Sequence, residues 1–462
     1  MDDATAPLLT DFYQLTMAQA YLAAGLDVRA TFELFVRSLP PGRNVLLACG
    51  LDDALRFLER MRYDAAAVEW LRSLGRFSEA FLEALGGLRF TGDVRAVAEG
   101  TPVFAGEPIL EVTAPIAEAQ LAETFLLNQV HLQTLLASKA ARVVAAARGR
   151  TVVDFGLRRA HGTDAGLRGS RALYVGGVDA TSNVLAGRVY GIPLAGTMAH
   201  SWVLAHDDEA AAFRAFTAEF PDTVLLVDTF DTLAGVRRVA ALARELGGDF
   251  RVRAIRLDSG DLAALARDAR AILDAAGLER VEIFASGGLD ELDVRDLVDA
   301  GAPITGFGVG TRMNVSADRP WLDAAYKLVE VAGRPRMKLS AGKGNLPGRK
   351  QVFRLSRDGE DVGDLVARRG ETAADAVRIW SGAGLEARPL LQPVMAGGER
   401  LPAGHVALAE ARDRAREGLA RLPSRILALE RAEPPYPVEI GPELAKAAAA
   451  LRLELLERER PG

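Results

Sequence analysis

Between residues 151 and 308 the chain alternates short, β-branched apolar runs with longer stretches in which apolar positions recur every three or four residues. The runs are Thr151–Phe155, Gly191–Ala195, Thr223–Asp228, Arg251–Leu257, Val281–Ala285 and Ile304–Gly308, and they start about 23 to 40 residues apart. The stretches 231–248 and 259–278 between them have helical periodicity, and each ends near a glycine suited to a C-terminal cap. Strands alternating with helices predict a parallel sheet, either a barrel or a doubly wound sheet.

The flanks follow another plan. Before the repeat, 11–24, 51–61 and 66–71 read as helices, 30–35 and 101–112 as β pieces, and 118–146 as one long helix leading into the sheet. Within 8–21 the helix places Tyr13, Met17 and Tyr21 on one face at i+4 steps, with Thr10 or Asp11 as its cap. After the repeat, 326–339 alternates around Gly333–Arg334 as a hairpin would, 342–350 is a polar loop, and 404–422 and 442–457 read as helices around the link PPYP. The reading is therefore an α/β chain with an irregular, TIM-like parallel barrel over 141–340. Residues 1–140 and 341–462 supply a second, mixed α+β domain built from both ends.

Composition narrows the chemistry. The chain has 56 basic and 62 acidic residues, a net charge of −6, and six lysines against 50 arginines spread without a basic tract. This argues against a dedicated nucleic-acid binder. The single cysteine, Cys49, excludes a disulfide framework, a cysteine-based zinc or iron–sulfur site and a CxxC pair, and it fits a reducing compartment. The acidic N-terminus has no apolar core of a secretory signal, and no run of about 18 apolar residues would span a membrane. The cytosol is the expected location. With five histidines and six lysines, any general base, metal ligand or Schiff-base lysine comes from a short list.

Polar and glycine residues concentrate where the runs end: DFGLRRAHGTD, AGTMAHS, VDTFDT, RLDSGD, ASGGLDE and GFGVGTR. In parallel sheets the loops after the strands meet at one end and build the site. GFGVGT and ASGGLDE each read either as a phosphate cradle or as a tight turn. As cradles, Gly308, Gly310 and Thr311, with Ser286, Gly287 and Gly288, would bring backbone N–H groups and a hydroxyl to an anion. In RLDSGD, Arg256 and Asp258 share a strand face; they form either an internal ion pair or a carboxylate-binding arginine beside an aspartate for ribose hydroxyls or hydrated Mg²⁺. Arg158 and Arg159 suit a polyanion such as pyrophosphate, and Phe155 is either core or a ring-stacking platform. His200, three residues beyond Thr197, could act as general base, metal ligand or phosphate acceptor. No HxH or HExxH pattern exists, which argues against a histidine-built hydrolase site.

Together LLTDFYQLTMAQAY, DFGLRRAHG, GIPLAGTMAHSWV, AIRLDSGDL and GVGT, with the tail RLPSRILALERAEPPYPVEIGPEL, resemble nicotinate phosphoribosyltransferases of the type II superfamily. The similarity runs in order through nearly the whole chain. It implies an enzyme that makes nicotinate mononucleotide and pyrophosphate from nicotinate and phosphoribosyl pyrophosphate, coupled to ATP hydrolysis, in NAD salvage. It implies Mg²⁺ carried by the substrate, with Asp258 as its possible protein contact, and a homodimer with shared active sites. It assigns phosphorylation by ATP to His200, ribose or metal-shell contacts to Asp258, and nicotinate contacts to Tyr13, Phe155, Thr197 and Arg256. Tyr13 would come from the partner subunit, and Arg256 would hold the carboxylate. Phosphoribosyl pyrophosphate would lie on Arg158, Ser286, Gly287, Gly288, Gly308, Gly310 and Thr311, with Arg159 adjacent to Arg158. No zinc is expected, because the C-terminal cysteine cluster of some relatives is absent. Two other readings compete. One is a nicotinamide-using enzyme of the same superfamily, for which Asp179 would be the acid facing the amide. The other is a non-catalytic nucleotide-binding barrel.

Overall fold

The structure, a computed structural model, describes residues 5–339 and 344–459. The first two residues of the polar loop expected at 342–350 lie outside these. The chain divides into two compact units, one from Met1–Leu135 with Trp321–Gly462 and the other from Leu136–Pro320.

The middle unit is built on a six-stranded sheet: β1 Thr151–Asp154, β2 Ala180–Thr181, β3 Val224–Leu226, β4 Ala254–Leu257, β5 Glu282–Ala285 and β6 Gly306–Val309. Their spatial order is β2-β1-β6-β5-β4-β3, and all neighbouring pairs run parallel. The strands are short and carry Val, Ile, Leu, Phe and Ala, because helices cover them and the alternating polar face of an exposed sheet is not required. Among the described residues β2 and β3 do not pair, so the sheet is a parallel half-barrel rather than a closed ring.

One expected strand is corrected. Gly191–Ala195 forms no strand; Leu194 alone makes an isolated parallel bridge to Thr181. Pro193 has no N–H to donate to a ladder, and Gly191, at φ +71°, ends the helix Val184–Tyr190 in the left-handed region. The strand beside β1 is instead β2, two residues long.

Aspartates at the strand ends also do structural work. Asp231, Asp261 and Asp290 cap the helices Thr232–Leu246, Leu262–Ala275 and Glu291–Asp299 by accepting backbone N–H groups of the first turn. Part of the polar content of these loops is thus helix capping.

The unit built from both ends contains a seven-stranded antiparallel sheet in which Arg29–Val36 pairs with Ala324–Val331 on one side and with the central strand Pro108–Pro115 on the other. Ala324–Val331, which the sequence reading placed at the end of the barrel segment, therefore belongs to this sheet. A four-stranded sheet contains Lys350–Arg357 and Glu360–Arg368. Two buried ion pairs accompany them: Lys350 Nζ lies 2.9 Å from Glu33 Oε2, and Arg354 Nη2 lies 2.6 Å from Asp364 Oδ2. The long helix expected over 118–146 is two helices, Ile116–Leu121 and Glu123–Ala147. In the helix Phe12–Ala23 the packed face is Gln14, Leu15 and Ala18, while Tyr13 is 48% exposed. Asp11 caps this helix by position only; its carboxylate accepts a hydrogen bond from Thr124 instead.

Candidate functional site

All loops that follow the six strands open on one end of the sheet, and a cavity of about 370 Å³ lies there. Arg256 is carried on β4, one residue before its end. Its Nη2 donates to the Met198 carbonyl at 3.0 Å, and its guanidinium carbon lies 5.9 Å from the centroid of the Phe155 ring. Nε is buried and has no hydrogen-bond partner, and no carboxylate among the described residues comes within ion-pairing distance. The internal Arg256–Asp258 ion pair is thus absent. Burial lowers the Arg256 pKa, the charges of Asp258 and Asp228 oppose that, and the Arg158 charge adds to it. A desolvated guanidinium with unused donors costs free energy unless an anion takes them up, and its planar fork matches a carboxylate.

Asp258 follows β4. One carboxylate oxygen accepts from the Ser286 hydroxyl, and the other lies 3.9 Å from His200 Nε2. His200 opens the short helix His200–Leu204, with its ring Nδ1 3.1 Å from the Thr229 hydroxyl. Nε2, on the far side of the ring, is the nitrogen left for chemistry. The loop after β3 supplies the second support. Asp228 Oδ2 accepts from Asp258 N at 2.9 Å and from the Ser259 hydroxyl at 2.8 Å, while its Oδ1 is buried without a partner.

Gly287 and Gly288 turn the β5 loop at φ +100° and +72°. A Cβ on Gly287 would lie 1.8 Å from the Asp258 carbonyl oxygen, so this turn and the Asp258 loop fit only without a side chain. Gly308 has a different reason to be glycine: a Cβ there would lie 2.6 Å from the Phe155 ring. The residue makes room for the aromatic, a purpose the sequence reading did not give it. Thr311 begins the short helix after β6, and its hydroxyl accepts from Arg159 Nη1 at 3.0 Å. Arg158 and Arg159 both sit in the tight turn Leu157–Arg159.

That turn is held by Asp154. Its buried carboxylate accepts from Gly156 N at 2.8 Å and Asn314 Nδ2 at 2.7 Å on one oxygen, and from Thr181 at 2.8 Å and Ser170 at 3.2 Å on the other. Four hydrogen bonds fix a carboxylate in place and, through it, the loops after β1, β2 and β6.

Of the thirteen residues named from the sequence, Phe155, Arg158, Thr197, His200, Arg256, Asp258, Ser286, Gly287, Gly288, Gly308, Gly310 and Thr311 line this one cavity. Tyr13 belongs to the other unit and is half exposed there. Asp179 does not line the cavity; its carboxylate accepts from Val152 N at 3.0 Å, near the start of β1. The lining adds Arg159, Ser182, Gly196, Met198 and Ala199. Asp154, Asp228 and Thr229 were missed as supports. The only signal for Asp228 was an aspartate at a strand end, the same signal that marked Asp258.

Models of two parts of one family match this chain: the nicotinate phosphoribosyltransferase N-terminal domain over residues 8–131 and the nicotinate phosphoribosyltransferase family over residues 151–351. A nicotinate phosphoribosyltransferase of Mycobacterium tuberculosis is 52% identical over 455 residues, 98% of this chain and 96% of that protein. One from Bacillus subtilis is 41% identical over 387 residues, 82% of this chain and 79% of that protein. The crystal structure of human nicotinic acid phosphoribosyltransferase superimposes with a TM-score of 0.83 at 32% identity, covering 96% of this chain and 99% of that one. With its strand-end cavity and its match along nearly the full length, the chain belongs to the nicotinate phosphoribosyltransferase family.

Proposed function

We propose that the protein transfers the phosphoribosyl group of phosphoribosyl pyrophosphate to nicotinate, giving nicotinate mononucleotide and pyrophosphate, and couples this to ATP through His200. The observation that carries the reading is Arg256. It is a buried guanidinium without a carboxylate, set beside an aromatic ring and in the same cavity as the arginine and glycine loops. Nicotinate supplies the two groups this corner lacks, a planar anion and a flat ring.

In this reading Arg256 takes the carboxylate, Thr197 lies alongside, and Phe155 covers one ring face. Tyr13 of a second subunit covers the other, in a homodimer with shared sites. Arg158, with the loops of Ser286, Gly287, Gly288, Gly308, Gly310 and Thr311, holds the 5-phosphate and pyrophosphate. The pyridine nitrogen carries no proton to remove. Its lone pair forms the bond to ribose C1 while the C1–O bond to pyrophosphate breaks and pyrophosphate leaves with the electron pair. Catalysis therefore rests on positioning and on charge held against the leaving group, not on a strong base. Mg²⁺ would neutralise the pyrophosphate charge when bound. Asp258, which lines the cavity, is the acidic group suited to its water shell, and a cation that binds largely through substrate phosphates needs no all-protein cage.

For the ATP step, His200 Nε2 would attack the γ-phosphorus, the P–O bond to ADP would break, and water would later cleave the P–N bond. The added phosphate charge in this loop would couple hydrolysis to substrate affinity. We further read the half-barrel as the core of an irregular barrel and the protein as cytosolic. A nicotinamide-using enzyme is not favoured, because Asp179 is turned to Val152.

Incubation with nicotinate, phosphoribosyl pyrophosphate, Mg²⁺ and ATP should give the mononucleotide by mass, at a rate far above that with nicotinamide. Equal turnover of the amide would overturn the substrate assignment. His200→Ala should lose ATP stimulation and keep slow ATP-independent transfer; normal stimulation would remove His200 from the coupling.

A further inference from the structure

A second cavity of about 510 Å³ lies in the same unit, at the opposite end of the sheet. Thr151, Val224, Ala254, Glu282 and Gly306 line it, and each is the first residue of its strand. The two cavities share Gly196 and Thr197, in the segment that follows the Leu194 bridge to β2. Between them stand two rings: Phe155 faces the strand-end cavity and Phe284 the second one, with centroids 6.2 Å apart.

The second lining has its own chemistry. Phe216, Phe220 and Phe284 give it aromatic walls, and Phe220 and Leu194, 60% and 55% exposed, leave apolar surface open at its mouth. Asp222 is paired with Arg251, while Glu282 accepts only from the neutral Thr305 hydroxyl and keeps its negative charge at the rim. Arg253 is exposed and has no side-chain partner among the described residues. Aromatic walls with one uncommitted guanidinium fit a flat ring bearing a single negative charge.

We propose that this second cavity is a binding site for a small aromatic monocarboxylate, held by Arg253 and the phenylalanine walls, and that its occupancy is felt at the strand-end cavity through Gly196 and Thr197. The choice of a carboxylate over other aromatic anions rests on the nicotinate reading above; the existence of the site does not. A ligand here would press on the segment that carries Thr197 and His200, so it would change the KM for nicotinate without competing for Arg256.

The test is a ¹⁹F NMR titration of the intact protein with 4-fluorobenzoate, repeated on Arg253→Glu, Arg253→Lys and Arg256→Ala. The wild type should show two binding events. Arg253→Glu should weaken one of them at least tenfold, Arg253→Lys should restore it in part, and Arg256→Ala should remove the other. Arg253 is exposed and unpaired, so its variants should keep the wild-type melting temperature and basal turnover. Loss of an event with Arg253→Glu but none with Arg256→Ala would support the second site and refute the nicotinate reading of the first. A single event removed by Arg256→Ala and untouched by Arg253→Glu would overturn the proposal, as would no binding at all.

Discussion

Replacing Arg256 with alanine separates binding from folding, because the structure gives this residue almost no role in stability. Its side chain makes one hydrogen bond, to the Met198 carbonyl, and leaves Nε buried and unpaired. A neutral partner for one charged donor is worth about 1.5–3 kcal/mol, and removing a desolvated charge returns much of that. The net change in stability should therefore be within about 1 kcal/mol, a shift of roughly 2–4 °C in Tm. The substrate side is different. Truncating one partner of a buried, hydrogen-bonded charge pair costs about 2–5 kcal/mol, and each 1.4 kcal/mol is tenfold. The kcat/KM for nicotinate should fall by about 30- to 3,000-fold, mostly through KM. Nicotinamide has no carboxylate to lose, so its poor kcat/KM should change far less and the preference for the acid should collapse. Arg256→Lys keeps the charge but loses the fork and the guanidinium's approach to the Phe155 ring, and should lie between the two. The assay is initial-rate kinetics with both substrates, alongside a thermal melt. A nicotinate KM unchanged in Arg256→Ala would refute the carboxylate role, and a melt lowered by 10 °C or more would refute the structural bookkeeping.

Other changes test other parts of the site. Gly287→Ala forces a side chain into a φ +100° conformation and onto the Asp258 carbonyl, so it should cost at least about 2 kcal/mol and lower Tm by roughly 4–8 °C; a wild-type melt would contradict the geometry. Asp228→Ala leaves the Asp258 N–H and the Ser259 hydroxyl without their acceptor and should lower kcat about 10- to 100-fold with little change in nicotinate KM; a pure KM effect would place Asp228 on the substrate instead. Glu33 tests buried charge away from the site, since burial raises its carboxyl pKa from 4.5 to about 7 against the pull of Lys350. The folded state then holds a proton the unfolded state has lost, so stability falls as pH rises between about 4.5 and 7, by up to about 3 kcal/mol. Glu33→Gln should flatten that part of the pH–stability curve in denaturant melts, and an unchanged curve would assign the slope to other groups.

The sequence made the strand ends legible because β-branched runs and glycine-rich loops are local signals. It made Arg256 and Asp258 legible as a pair because strand alternation puts them on one face. What it hid depends on partners far along the chain. Asp154 reads as one more polar residue at a strand end until Asn314 is brought to it. Asp228 gains its role only when its loop meets the Asp258 loop, and Thr229 only when His200 turns toward it. β2 is too short to give a period. Gly191–Ala195 has the composition of a strand, but Pro193 and the helix-ending Gly191 break it. In Phe12–Ala23 the spacing says which residues share a face, not which face is packed: Gln14 is buried and Tyr13 is not.

The carboxylate of Asp154 also sets an order of events for the chain as it folds. Besides the local Gly156 N–H, its side-chain partners lie 16, 27 and 160 residues away, and the farthest, Asn314, follows the last strand of the sheet. Loops separated by that much chain close late, after the entropy of bringing distant segments together has been met. The turn at Leu157–Arg159 therefore gains its full set of contacts only once β6 is docked beside β1. A nascent or truncated chain that ends between residues 309 and 314 would have all six strands of the sheet and still lack the Asn314 contact that completes the Asp154 cluster. Gain of activity during refolding should then track the docking of the Asn314 segment that follows the final strand of the sheet.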